Sequence, residues 1–520
     1  VPALRGFSTR SAQWLEPLAY IVCTAATLCC LFYKLGSIPP GLQLDEVSIG
    51  YDARSLGKTL ADHYGVRLPL FFESVGDYKS PIYIYLAAVN EKVLGPTPFA
   101  LRLTSVELAL VFSLSIFFLL RALTADARFA RWMALFSLLI PSVFFFARIS
   151  TAENMCLLAF IALALNPLLH FEREPDWGSA ALAGASLGLC AYTYHVGRFL
   201  APLMVLVAAI SYAFDARTRR VLPAFLATAA MVGAPLGLFM WLHPNTLTRR
   251  FQGIGLWHDH PSFSVATHRF IHTYVQHFLS LDFLFRSGQH QLSVNTGAGL
   301  LSFWLWPAML LGLAALWTRR PSPFSRFVIA MLFLSPVPVA LTWENLPHTG
   351  RIFHLIVFAF VTGALGVFDF LSRAGMPTWL PAVLVGGILL EGAQDIQLYF
   401  GPYAAEAERV RPLDDEWVGD GLQIAFAARR GEEPLYLPEA FFNFDAIYIE
   451  FYGDLDPVRQ RTEGLERMGI IDASQPIDFI RGGILIVPWS DGPVEGNLLR
   501  TTPTPTGGQP AWAVYRLRTP

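Results

Sequence analysis

The chain has 520 residues, 54% of them hydrophobic and only 15% charged, with a formal net charge of −2. It is too apolar for an ordinary soluble protein and too often interrupted for a single anchor. Repeated apolar segments of about 20 residues, each long enough to span a bilayer, account for both facts. The near-neutral balance implies no nucleic-acid partner. The five cysteines, Cys23, Cys29, Cys30, Cys156 and Cys190, all fall in apolar segments. They read as small core residues, not as a disulfide framework.

Basic residues, Arg5 and Arg10, precede the first apolar segment. That segment is too long for a signal-peptide core and lacks a cleavage site, so it reads as a helix. The apolar pattern predicts about eleven spans. They run over 15–35, 101–123, 132–146, 152–169, 180–194, 199–214, 221–242, 298–317, 324–343, 352–371 and 379–399. Between the first two lies a polar loop, 36–100, with helical stretches near 47–63 and 81–94 placed along the membrane surface. A second long loop, 243–297, carries an amphipathic helix near 262–278. From Gly401 to Pro520 the chain becomes mixed, charged and turn-rich. Strand-like runs at 433–437, 483–487 and 511–516, and a helix at 457–468, predict a small soluble α/β domain. The expected organisation is a membrane module over 1–400 and a soluble domain over 401–520.

Arginines orient the bundle. Arg121, Arg128 and Arg131 share one loop, and Arg217, Arg219 and Arg220 another. Arg319, Arg320 and Arg326 share a third, and Arg373 lies in a fourth. With alternating spans these loops fall on one side together with the N-terminus, and the positive-inside rule makes that side cytoplasmic. The two long loops and the C-terminal domain are then exoplasmic, periplasmic or extracellular.

The first polar loop, LDEVSIGYDARSLGKTLADHYGVRLPLFFESVGDYKSP over 44–81, opens on Asp45-Glu46 and closes on Asp77, Tyr78 and Lys79. Ionisable residues this close to a membrane face are retained for use. More gather at exoplasmic helix ends: Arg148 and Glu153 in ARISTAEN, His195 and Arg198 in YTYHVGR, His290 in RSGQHQL, and His348 and Arg351 in PHTGR. Such cations suit a lipid-linked phosphate at the interface. Each also has a plainer use, in snorkelling or capping carbonyls. His243, His258, His260 and His268 read as surface loop residues. For Asp45 the plainer use is as an N-cap of the following helix.

Together these segments resemble the GT-C glycosyltransferases, in particular bacterial proteins related to protein O-mannosyltransferases and to the lipid A aminoarabinose transferase. The resemblance rests on Asp45-Glu46 soon after the first span, then GYDARSL, a Pro-Leu-Phe-Phe run, DYKSPIYIYL, PFALR, ARISTAEN and PHTGR. It covers essentially the whole membrane part. It implies an α-helical polytopic membrane protein and a sugar donor on undecaprenyl or another polyprenyl phosphate. It also implies a glycan, lipid or protein acceptor on the exoplasmic side, in a bacterial inner membrane. It makes Asp45 the general base and puts Lys79 beside the donor phosphate. DYKSP departs from the Glu-Lys-Pro-Pro pattern of the aminoarabinose transferases, which leaves the donor sugar, hexose or pentose, open.

The chemistry agrees. Such a donor already carries a leaving group, so the enzyme must deprotonate an acceptor hydroxyl and stabilise the departing phosphate. Asp45 is the candidate base, with Glu46 orienting it or binding acceptor. Lys79, Arg148, His290, His348 and Arg351 are candidates for the phosphate. Asp77, Tyr78, Glu153, His195 and Arg198 are further site candidates. Attack opposite the phosphate would invert the anomeric centre. No cofactor is required; a divalent metal is admitted, with Asp77 and His290 as ligands, but no compact ligand spacing demands one. Two other classes are compatible with many helices and polar loops. A surface-glycan polymerase or ligase would use the 243–297 loop. A secondary transporter would need midplane charges and inverted repeats, which are not evident.

Overall fold

The computed structural model describes residues 12–150, 153–286, 298–343, 346–373, 376–406, 418–442, 446–473, 482–502 and 509–518. It divides into two compact units. The first comprises 1–33, 105–148 and 152–401; the second comprises 34–104, 149–151 and 402–520. The C-terminal stretch from Pro402 is assigned to the second unit. The division differs in giving it the 34–104 loop as a structural partner.

The first unit is helical. It holds α1 (Ala12–Phe32), α4 (Pro98–Thr124) from Ser105 on, α5 (Ala127–Leu138), α6 (Pro141–Phe146), α7 (Asn154–Arg173), α8 (Trp177–Leu189), α9 (His195–Ala213) and α10 (Ala216–Leu242). After the short α11 (Arg249–Ile254) come α12 (Phe263–Phe278), α13 (Leu281–Phe285), α14 (Leu305–Thr318), α15 (Pro323–Leu334), α16 (Val337–Ala340), α17 (Thr349–Ile352), α18 (Leu355–Leu371) and α19 (Leu380–Leu398). Every expected span finds a helix. Among the described residues six helices are long and apolar enough to cross a membrane.

Two expected spans are interrupted. The third breaks between α5 and α6, where Pro141 opens α6 at its first turn and supplies no N–H to continue the earlier helix. The ninth breaks between α15 and α16, at Pro336 and Pro338. Small residues bring helices together where lipid gives no hydrophobic drive. A Cβ on Gly312 of α14 would lie 1.9 Å from the Thr362 carbonyl oxygen of α18, so the two backbones meet at this point. Aromatic stacking fills α7, α9 and α10: Phe171 lies 5.0 Å from Tyr212 and 6.0 Å from Phe225, nearly parallel to both.

The second unit joins the loop to the C-terminal domain. Its loop part holds α2 (Leu44–Thr59), the hairpin β1 (Phe72–Ser74) and β2 (Asp77–Lys79), and α3 (Pro81–Leu94). Helix α2 is polar in sequence, yet everything from Glu46 to Leu56 is buried. It ends where Leu60 turns left-handed, φ 57°, and donates its N–H to the Leu56 carbonyl.

The C-terminal part adds α20 (Val418–Ala428), α21 (Ile447–Tyr452) and α22 (Pro457–Arg467). Its five strands are β3 (Leu435–Leu437), β4 (Ile470–Asp472), β5 (Gly483–Pro488), β6 (Asn497–Thr501) and β7 (Trp512–Leu517), in the order β4-β3-β5-β7-β6. The sheet is parallel at β4-β3-β5 and antiparallel beyond. Leu42, Val47 and Tyr51 share one apolar cluster with Leu422, Ile449, Phe451, Ile484 and Val514. The first helix of the loop is therefore part of the core of the C-terminal domain.

The β1–β2 hairpin turns through Val75 and Gly76, with φ 51° and 72°. Positive φ at both central residues is the tight hairpin geometry that asparagine-glycine adopts readily and a β-branched valine does not. Val75→Asn is expected to stabilise the protein by about 1 kcal/mol, the lower end of the cost of a left-handed non-glycine residue. A thermal unfolding midpoint unchanged or lowered would contradict this.

Candidate active site

Helix α2 sets the geometry. Its N-cap is Gln43, so Asp45 and Glu46 both lie in the first turn, at the positive end of the helix dipole. Glu46 reaches back to accept the Gln43 backbone N–H at 3.2 Å. The capping work thus belongs to Gln43 and Glu46, and the alternative reading of Asp45 as the N-cap is set aside.

The Asp45 side chain is 41% exposed. Lys79 approaches it from the end of β2, with Nζ 2.6 Å from Oδ1. Lys79 is itself buried, so its ammonium is delivered to Asp45 along an apolar stem. The hairpin register fixes this: Phe72 pairs with Lys79 and Ser74 with Asp77, so residues 77 and 79 turn inward and Tyr78 outward. Tyr78 donates its hydroxyl to Glu73 across the hairpin at 3.0 Å. Asp77 Oδ1 accepts the Tyr78 backbone N–H at 2.7 Å.

Glu46 is placed differently. It is fully buried and held by Arg102, Nε to Oε1 at 2.9 Å and Nη2 to Oε2 at 3.2 Å. Its Oε1 also accepts the Ser150 backbone N–H at 2.8 Å. Arg102, equally buried, donates to the carbonyls of Leu35 (3.2 Å), Pro39 (2.8 Å) and Gly41 (2.8 Å). The expectation that Glu46 orients Asp45 is compatible with this; direct contact with an acceptor is not, because both carboxylate oxygens are enclosed. Arg102 went unrecognised in the sequence as a site residue. Its signal was an arginine inside the largely apolar PFALRLTSVELAL, where a charge needs a partner.

In the first unit Arg148 is fully buried and donates to the carbonyls of Cys30 (2.7 Å), Leu31 (2.6 Å) and Tyr33 (2.7 Å). Rings of Phe400, Tyr399 and Phe144 surround its guanidinium at 4.8, 5.2 and 6.0 Å. This is a cap on the C-terminal end of α1, and it departs from the expected phosphate ligand. Glu153 and His195 are brought together, Oε2 to Nε2 at 3.8 Å. Arg198 donates to the Leu247 carbonyl at 3.3 Å.

His348 caps α17, its Nδ1 accepting the Arg351 N–H at 3.2 Å. Its own N–H goes to Nε2 of buried His277 at 2.9 Å. Burial, and then the nearby Arg351, bring His277 down to about 4, although its bond to the Thr273 carbonyl works the other way. A neutral ring is what the geometry requires: Nδ1 donates to the Thr273 carbonyl at 2.8 Å while Nε2 accepts. Arg351 is buried and donates to Thr342 Oγ1 at 3.1 Å. His290 lies outside the described residues. Among the described residues no three His, Cys, Asp or Glu side chains gather as a metal would need.

The buried Glu46–Arg102 pair yields a direct test. Glu46→Gln keeps the shape but leaves the arginine charge buried without a counter-charge, a loss of about 3–5 kcal/mol in comparable pairs. A marked drop in thermal midpoint is expected for Glu46→Gln. A midpoint equal to wild type would show the pair to be structurally dispensable.

No protein-family model and no curated protein matches the chain. Its fold does match solved structures. ArnT from Cupriavidus metallidurans bound to undecaprenyl phosphate aligns with TM-score 0.58 and 14% identity, over 95% of this chain and 97% of that one. The same protein in the apo state gives 0.57 and 13%, over 97% and 98%. The oligosaccharyltransferase of Archaeoglobus fulgidus, also apo, gives 0.51 and 12%, over 91% of this chain and 70% of that one. Both neighbours are GT-C proteins, and the architecture described above, apolar helices with a small sheet domain at the C-terminus, is the GT-C fold.

Proposed function

We propose that the protein transfers a sugar from a polyprenyl-phosphate donor to an acceptor hydroxyl, with Asp45 as general base and Lys79 beside the donor phosphate. The carrying observation is the Asp45–Lys79 contact at 2.6 Å, at the half-exposed start of a helix that is buried from Glu46 to Leu56. A carboxylate so placed is open to an incoming hydroxyl while its helix is fixed. The ammonium in contact with it is positioned to meet a phosphate at the same point. The GT-C fold supports the reaction class, and a structural neighbour binds undecaprenyl phosphate. Inversion follows if the hydroxyl attacks opposite the phosphate. Glu46 and Arg102 act on the reaction only by holding the first turn of α2.

The membrane placement belongs to the same proposal. The 34–104 loop and the 402–520 region form one folded unit, which supports a reading with both on one face of the membrane. The arginine-bearing loops assign the opposite face to the cytoplasm, which puts the candidate base on the exoplasmic side of a bacterial inner membrane.

The decisive assay follows a radiolabelled sugar from polyprenyl phosphate into lipid, glycan or protein. Asp45→Asn keeps the size and removes the base. Transfer is expected to fall about 100- to 10,000-fold, the usual contribution of general-base catalysis, with an unfolding midpoint near wild type. Near-normal transfer by Asp45→Asn would end its role as base. For the topology, single cysteines replace Thr97 and Arg217 in a cysteine-free background. An impermeant thiol reagent applied to intact spheroplasts should label only the first, and labelling of the second alone would invert the assignment.

A further inference from the structure

Two turns beyond Asp45 on the same helix, about 10 Å along its axis, Asp52 is fully buried and bonded to a histidine. Its Oδ1 lies 2.7 Å from Nδ1 of His63 and also accepts the His63 backbone N–H at 3.2 Å. His63 is 8% exposed. It belongs to a tight reversal that follows α2, where Ala61 bridges Arg67 in antiparallel fashion. Asp62 donates its N–H to the Val66 carbonyl at 3.0 Å, and its Oδ1 accepts the Val66 N–H at 2.8 Å. Ser55 of α2 bonds the Asp62 carbonyl at 2.9 Å. From the C-terminal region, Arg461 donates to the carbonyls of Asp62 at 2.8 Å and His63 at 3.4 Å. Three elements, α2, the 61–67 reversal and α22, therefore meet at one ion pair.

We propose that the Asp52–His63 pair is a protonation-dependent brace, which holds the 61–67 reversal onto α2 and the C-terminal domain by an ion pair while His63 is charged and by weaker neutral hydrogen bonds when it is not. The groups around His63 are Asp52 and Tyr51 on α2, Asp62 and Tyr64 in its own turn, Glu450 on α21 and Arg461 on α22. Three of these are carboxylates. Burial alone would lower the histidine. The charge and hydrogen bond of Asp52, with Glu450 and Asp62 behind them, outweigh it, and the folded value is raised above the ordinary 6.5. A raised histidine contributes stability that is complete below its unfolded value and is lost as pH rises through its folded value. The brace is thus strongest in mild acid and weakens towards alkaline pH, so the reversal opens more often there. Asp45 sits on the helix so braced, and a bearing on transfer rests on the transferase reading; the brace itself does not.

The test uses the full-length protein and trypsin. Arg67 is exposed at the base of the reversal, opposite Ala61, and cleavage there gives a fragment beginning at Leu68. Cleavage rates are taken from pH 6 to 9 and divided by the rate on a small arginine ester, which removes the protease's own pH dependence. Wild type is expected to be nicked several-fold faster at pH 9 than at pH 6. His63→Gln and Asp52→Asn should be fast at pH 6 and show no step. Glu91, a buried carboxyl near Arg54 raised by burial to about 8, also favours the folded state at low pH. Glu91→Gln is therefore measured in parallel and should retain the step. A flat wild-type profile overturns the brace without requiring any variant to fold. A step that survives in His63→Gln, or vanishes in Glu91→Gln, overturns it as well. A step with no detectable sugar transfer would count against the transferase reading alone, and transfer with a flat profile against the brace alone.

Discussion

The candidate site depends on one buried arginine. Arg102 binds the Glu46 carboxylate and three carbonyls of the 35–41 segment, and Glu46 in turn holds the Ser150 amide. Three stretches distant in sequence, the segment leaving α1, the first turn of α2 and Ser150, are tied together by the Glu46–Arg102 pair. An ion pair of this kind contributes little net stability over a well-packed apolar alternative, because two charges must leave water. What it supplies is position. The planar guanidinium has five N–H donors in a fixed fork, and each acceptor it binds is fixed in direction as well as distance. Asp45 is the next residue along from Glu46, so its place in space follows from this network.

Much of this was legible in the sequence. Apolar length predicts a helix for each span, because a backbone in hydrocarbon has to satisfy its own hydrogen bonds. The two breaks, at Pro141 and at Pro336 with Pro338, are not expected, since both spans read as running unbroken. The β1–β2 hairpin is not expected either, because its strands are only three residues long. The strands at 435–437, 483–488 and 512–517 match their predicted runs to within two residues. Strand β6 does not, because its residues 497–500 are exposed and carry no alternating pattern. Strand β4 is three residues long, too short for any period to show.

The rest is non-local. Arg54 donates to the Phe451 carbonyl at 3.0 Å and pairs with Asp454 at 3.1 Å, across some four hundred residues. Nothing in GYDARSL indicates that partner. Because α2 buries Leu42, Val47 and Tyr51 among C-terminal residues, a boundary drawn on composition separates two segments that share one core. Arg148 shows the complementary ambiguity. A cation at a helix end can bind phosphate or carbonyls, and the unsatisfied carbonyls closing α1 decide between them. Those carbonyls belong to a helix more than a hundred residues earlier, and the local sequence around ARISTAEN does not mention them.

Asp45 and Glu46 show how a helix divides labour between adjacent acids. Successive residues project about 100° apart around the axis. In the first turn of α2 the two adjacent carboxylates therefore point to different surroundings. Here Glu46 takes the inner position and is spent on Arg102, while Asp45 stays 41% exposed and pairs with Lys79. The inner acid needs a cation and donors on every side because it has no water. The outer one needs freedom to exchange partners. A base that deprotonates an incoming hydroxyl must be of the second kind, and its precision must come from the first. The same reasoning extends along α2 to Asp52. Seven residues on, it returns to nearly the same angular position as Asp45 but is fully buried, and it takes a histidine as its cation. The partner of Glu46 keeps its charge at any working pH, whereas the partner of Asp52 does not. One end of the helix is fixed permanently and the other conditionally.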